Sequence, residues 1–347
     1  MKPSLAAMLC VALVSAGPAA GTAAAQEPER PRIVMVAHGA AASGPFWAEV
    51  EAGAKRAAEA TGADVAFRAP PTFDMEAMTA LIEAAIAEDP DGLAISIPDA
   101  DALAAPLQAA VKAGIPVVTF NSGFDISRSL GAALHVGQGE YEAGRAAGEE
   151  MLALGAKSAL CLNHEQGNVA LDLRCKGFID GFGGSVEVVQ ISGDTKAVTE
   201  ALTERLTDAK GVDAMLALSA SGAGEGAVAA AATLPEGRAM HIATFDVTET
   251  MLKAIADGSA AFAVDQQPFL QGYLPVMFLA LRATDGVMPV SNVSTGPRLV
   301  DAAEAASRLG IELPAATPAG TPAAPGAAEG APVKGAPAEE PGAAPPG

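Results

Sequence analysis

The chain is predicted to fold as an α/β protein of two lobes, each built on a parallel sheet. Three observations predict it. Short apolar runs alternate with Ala-rich amphipathic stretches along most of the chain, which is the pattern of strands joined by crossover helices. That rhythm runs twice, once in each half. Setting aside the atypical ends leaves roughly 285 residues, more than a single hydrophobic core normally organises.

In the first half the runs IVMVA (33–37), DVAFRA (64–69), GLAISI (92–97) and PVVTF (116–120) read as strands. The stretches 45–61, 75–88 and 100–114 between them space their apolar residues as helices do. In the second half the strands are read at 158–164, 186–192, 213–219 and 240–245, and the helices at 170–183, 196–209, 222–234 and 248–258. Runs such as 116–120 carry no charge, as expected of strands covered by helices on both faces.

The two ends read differently. Lys2, an apolar run at 5–14 and small residues leading to Ala25 form an export signal over 1–25, so that the mature chain begins near Gln26. The run is shorter than the roughly 20 residues that span a bilayer, and Cys10, inside it, is expected to leave with the signal. A soluble, exported, periplasmic protein is expected. From 314 to 347 the sequence is almost only Ala, Pro, Gly and Glu, the composition of a disordered tail. The formal charge of −20, with 21 basic residues that never cluster, argues against a nucleic-acid or anionic-membrane partner.

No catalytic or metal pattern stands out. The four histidines, His38, His135, His164 and His241, lack HExxH-type spacing, and there is no GxSxG elbow. The glycine-rich stretch 222–226 lacks the Lys-Ser/Thr pair of a phosphate loop. Neither an enzyme nor a cofactor or metal site is expected. Cys161 and Cys175 sit on a strand and the next helix of an exported chain, so pairing into a disulfide is expected; two buried free thiols are the alternative.

In open α/β sheets ligands bind outside the carboxyl ends of the strands. The residues directly after the runs are His38, Pro98-Asp99, Asn121-Ser122, Asn163-His164, Ser219 and Asp246. They are mostly polar and uncharged, which suits a small molecule with many hydroxyl groups.

Several segments, in this order and spacing, resemble the sugar-type family of periplasmic binding proteins, the one containing the ribose- and galactose-binding proteins. They are 43–47 (SGPFW), 115–123 (IPVVTFNSG), 135–151, 174–178 (RCKGF), 243–246 (ATFD) and 265–268 (DQQP). The resemblance covers nearly the whole mature chain except the tail. It implies two Rossmann-like lobes joined by a three-strand hinge, the type I periplasmic binding protein fold. It implies an N-terminal lobe of 32–136 plus 267–290 and a C-terminal lobe of 137–266 plus 291–312. The crossings would lie near Gly137-Gln138, near Gln266-Gln267 and around 290–295.

The function it implies is capture of a small neutral sugar or polyol by a monomer that closes around it and is read by an ABC permease in the inner membrane. Phe46 and Trp47 match the two aromatics laid against the sugar, Arg174 the arginine reaching in from the second lobe, and Asp246 the carboxylate that accepts from hydroxyls. Ser219 and Gln266 stand where the family uses an amide or similar group, and His38 is expected to face the cleft. Asn121 and Ser122 stand where the family usually has an acid and a base, so ribose itself is not implied. A periplasmic receptor for a sugar-like signal is the alternative, which a neighbouring permease and ATPase gene would discriminate. A gene repressor of this fold needs a DNA-binding segment where the export signal lies.

Overall fold

The computed structural model describes residues 29–208, 211–236 and 238–312. The expected signal at 1–25 and tail at 314–347 lie outside the described residues.

The first lobe opens with β1 (Arg32–Val36), α1 (Pro45–Thr61), β2 (Asp64–Arg68), α2 (Met75–Ala87), β3 (Gly92–Ser96), α3 (Ala100–Lys112), β4 (Val117–Asn121) and β5 (Leu134–Gly137). The second follows with α4 (Glu140–Ala153), β6 (Ser158–Asn163), α5 (Val169–Phe182), β7 (Ser185–Gln190), α6 (Thr195–Asp208), β8 (Ala214–Ala217), α7 (Glu225–Ala231), β9 (His241–Phe245), α8 (Glu249–Ala256) and β10 (Phe262–Asp265). The chain then returns through α9 (Pro268–Asp285) and β11 (Val293–Ser294) and ends with β12 (Arg298–Val300) and α10 (Ala302–Leu309).

The strands form two six-stranded sheets, in the orders β2-β1-β3-β4-β5-β11 and β7-β6-β8-β9-β10-β12. Side-chain oxygens of Asp74, Asp99, Asn168, Thr248 and Asp301 accept from backbone N–H groups in the first turns of α2, α3, α5, α8 and α10. Each such cap is worth about 1 kcal/mol. The inner strands of the sheets are buried on both faces: Met35, Ile95 and Phe120 in the first lobe and Leu160, Met215 and Phe245 in the second are fully enclosed, each contributing about 1.5–3 kcal/mol by leaving water.

Two details depart from the sequence reading. β12 runs antiparallel to β10, because the chain between them passes through α9 and β11 of the first lobe and re-enters the second sheet from the lobe junction, along an edge whose neighbour runs toward it. Val293 and Ser294 pair with Val136 and Gly137 of β5, so they stay with the first sheet rather than beginning the second lobe at 291, and the third crossing falls after Ser294, within the expected 290–295.

Glycines set the closest helix contacts. A Cβ on Gly144 would lie 2.0 Å from the Arg174 carbonyl oxygen, and one on Gly177 would lie 2.0 Å from that of Tyr141, so α4 and α5 touch backbone to backbone. Gly53 and Gly272 do the same for α1 and α9. Cys161 on β6 and Cys175 on α5 are joined in a disulfide, with Cα atoms 5.8 Å apart.

Candidate functional site

The carboxyl ends of the two sheets face a single cavity of about 610 Å³. The nine residues expected to contact the ligand all line it: His38, Phe46, Trp47, Asn121, Ser122, Arg174, Ser219, Asp246 and Gln266.

The first lobe supplies the aromatic side. Pro45 fixes the first turn of α1, which places Phe46 and Trp47 where the helix begins. Trp47 is only 9 % exposed, packed on Gly39 and edge-on against His38 at 4.6 Å and Phe46 at 5.1 Å. Its ring is shared between core and cavity, because a helix start tucked under the β1 loop has no other place for an indole. Nδ1 of His38 and Oγ of Ser96 are 2.6 Å apart, and burial lowers the pKa of His38 to about 3, so the imidazole is neutral.

The second lobe and the crossings supply the polar side. Arg174, 4 % exposed, donates from Nε and Nη2 to both oxygens of Glu140 at 2.7 and 3.0 Å, and from Nη2 to Gln266 Oε1 at 2.9 Å. A longer bond of 3.4 Å runs from Nη1 to the Leu218 carbonyl, and the guanidinium lies 4.3 Å above the Phe245 ring centre. The fork expected to grip a ligand is therefore mostly occupied; one Nη1 hydrogen is left for the cavity. Gln266 donates in turn to Asp246 Oδ1 at 2.5 Å. Burial pushes the Asp246 carboxyl up to about 7 against the pull of Arg174.

Asn121 and Asp246 end the equivalent strands β4 and β9, and both take left-handed backbone, φ 60° and 67°. Asn and Asp are the non-glycine types that tolerate this region best. Their environments differ. Asn121 Nδ2 donates to Gln271 Oε1 at 3.0 Å, Ser122 Oγ donates to Asn121 Oδ1 at 3.1 Å, and Gln271 Nε2 donates to Thr295 Oγ1 and to the Gln266 carbonyl, both at 3.2 Å. Asn121 thereby links the cavity wall to the crossings. The Ser219 hydroxyl donates to the Ser221 carbonyl at 2.8 Å and is left as an acceptor.

The cavity also holds residues the sequence reading passed over. Phe73, in the loop after β2, stands edge-on to His38 at 5.9 Å. Glu165, Asn168, Ser221 and Thr248 also line the wall, and Glu165 Oε2 accepts from Asn168 Nδ2 at 2.8 Å. The rule that points to strand ends would have found Phe73 had the loop after β2 been read with the others. Of the residues after strands, His164 lines the cavity, its pKa lowered to about 4 by burial, whereas Asp99 is spent as a helix cap and Asn163 donates to Asp172. Among the described residues no group of His, Cys, Asp or Glu could hold a metal ion, and no helix is long and apolar enough to cross a membrane.

Two doubly covered α/β lobes, joined by three crossings around a polar cleft with aromatic walls, define the class of two-lobed binding proteins that close on a small molecule. The chain belongs to the family of the periplasmic binding protein domain, which it matches over residues 33–286. The xylose/arabinose-binding protein XylF of Sulfolobus acidocaldarius is 28% identical over 308 residues, which covers 82% of this chain and 75% of the relative. A carbohydrate transporter from Acidothermus cellulolyticus, solved in complex with myo-inositol, superposes with a TM-score of 0.73 at 31% identity over 80% of this chain and 96% of that one. A periplasmic sugar binding protein from Legionella pneumophila gives 0.69 at 26% identity, over 77% and 100%. The family binds its substrates and does not transform them.

Proposed function

We propose that this protein captures a small neutral sugar or polyol between its lobes and delivers it to an ABC importer. The observation that carries the reading is the convergence of Phe46, Trp47 and Phe73 from one lobe and of Arg174 and Asp246 from the other on one cavity, with Asn121 and Gln266 beside the crossings. Flat rings bury the C–H faces of a sugar without demanding hydrogen bonds, and Asp246 and Ser219 accept from its hydroxyls. Arg174 already has its counter-ion in Glu140 and both cavity imidazoles are neutral, so the cleft offers little to an anion.

The relatives named for xylose, arabinose and myo-inositol support the same class. The proposed setting is the periplasm, with the protein acting as a monomer, released from its signal near Ala25 and read by an inner-membrane permease. The nine cavity residues are its proposed contacts.

Trp47 is the only tryptophan in the chain and lines the cavity, so its emission tests the reading on unlabelled protein. Titration with D-xylose, L-arabinose, myo-inositol and further neutral pentoses, hexoses and polyols is expected to give a saturable change with at least one, weakened by Phe46→Ala. Absence of both a fluorescence change and calorimetric heat across the panel would overturn it.

A further inference from the structure

The lobes meet across the cleft at a contact that belongs to neither the cavity lining nor the crossings. The backbone N–H of Val169 donates to the carbonyl oxygen of Pro98 at 3.0 Å. Pro98 follows β3 in the first lobe and is buried; Val169 is the first residue of α5 in the second.

Both groups are otherwise without a use. A helix leaves its first N–H groups unbonded within itself. The Oδ1 of the cap residue Asn168 accepts from the Ala170 N–H at 3.0 Å, so nothing in the second lobe serves Val169. The start of α5 is also held firmly: the Glu165 N–H donates to Asn163 Oδ1 at 3.0 Å, and Asn168 donates to Glu165 through its backbone at 3.2 Å and its side chain at 2.8 Å. The donor is thus presented to the opposite lobe on a rigid turn.

We infer that Pro98 and Val169 form a backbone latch, which favours the closed arrangement whatever the ligand's chemistry. This rests on the binding reading above and adds a term to it. A ligand that needs the closed form binds with an apparent affinity scaled by the population of that form. Removing the latch therefore weakens every ligand by one common factor, unlike a change in the cavity wall. One ordinary hydrogen bond sets that factor at about two- to tenfold.

Val169→Pro removes the donor and little else. Proline is favoured at the first position of a helix, and Asn168, at φ −82° and ψ 107°, is already extended, outside the α region that proline disfavours in the residue before it. Val169→Ala keeps the N–H and trims a side chain that is 49 % exposed, so it serves as the control.

Two measurements test the latch. In the unliganded protein, NMR amide exchange is expected to show Val169 protected about two- to fivefold beyond a free amide, as a closed form that is populated without dominating requires. In calorimetry with D-xylose, L-arabinose and myo-inositol, Val169→Pro is expected to weaken each sugar that binds by the same two- to tenfold, with Val169→Ala at wild-type affinity. Free exchange of the Val169 amide overturns the latch, as does unchanged affinity in Val169→Pro or a loss that differs between sugars. Should no sugar bind the wild-type protein while the amide is protected, the latch stands and the sugar reading falls.

Discussion

The guanidinium of Arg174 and the carboxylate of Glu140 form a two-point ion pair, at 2.7 and 3.0 Å, with both side chains almost wholly buried. Glu140 is the first residue of α4, directly after the first crossing, whereas Arg174 faces the cavity from α5. The pair thus joins the hinge to the cleft.

Breaking the pair strands a buried charge. Arg174→Ala is expected to destabilise the fold by about 3–5 kcal/mol in denaturant unfolding, because the Glu140 carboxylate loses its counter-ion. Arg174→Met with Glu140→Leu is expected to recover most of that loss. A cost below about 1 kcal/mol for Arg174→Ala would mean that solvent, not Arg174, satisfies Glu140.

Asp246 makes stability depend on pH with an unusual sign. Its carboxyl is raised from 3.8 to about 7, so between about pH 4 and 7 the folded protein keeps a proton that the unfolded chain has released. Its contribution is complete below about pH 4 and declines as pH rises through 7. His38 and His164, lowered from 6.5 to about 3 and 4, act oppositely: they favour the fold above 6.5 and oppose it as pH falls through their folded values. The difference in unfolding free energy between wild type and Asp246→Asn isolates the carboxylate, and is expected to shift against the wild type as pH rises from 4 to 7. A difference independent of pH would place Asp246 in water.

The glycine contact between α4 and α5 leaves no room for a methyl group. Gly177→Ala puts a Cβ 2.0 Å from the Tyr141 carbonyl oxygen and forces the helices apart. A loss of about 1–3 kcal/mol is expected, the usual cost of overpacking. Thermal melts showing wild-type stability would mean that the helices can separate freely.

The bond between Cys161 and Cys175 closes a loop with a sequence separation of 14. Replacing both by Ala is expected to cost about 3 kcal/mol, the value for a loop of this length. Thiol counting on unreduced, denatured protein is expected to find neither cysteine reactive; two thiols from this pair would contradict the bond.

Much of this was legible in the residues. Alternating apolar runs and amphipathic stretches gave the strands and helices, and a general rule about strand ends brought His38, Asn121, Ser122, Ser219 and Asp246 to one cavity. What stayed hidden depends on tertiary contact. Glu140 is one acid among many until Gly144 and Gly177 bring α4 against α5, and only then does it consume most of the donors of Arg174. The antiparallel direction of β12 follows from which edge the returning chain meets, which local propensity does not encode.

The threefold passage of the backbone between lobes has a consequence for how the molecule is made. The first sheet receives its edge strand β11 only from residues 293–294, and α9, which packs against α1, lies just before it. The second sheet waits for β12, at 298–300. A chain growing from its N-terminus therefore holds no finished lobe until nearly all of residues 29–312 have been synthesised. Both halves come to completion within a few residues of each other, so a nascent chain has no early folded half to hold it back.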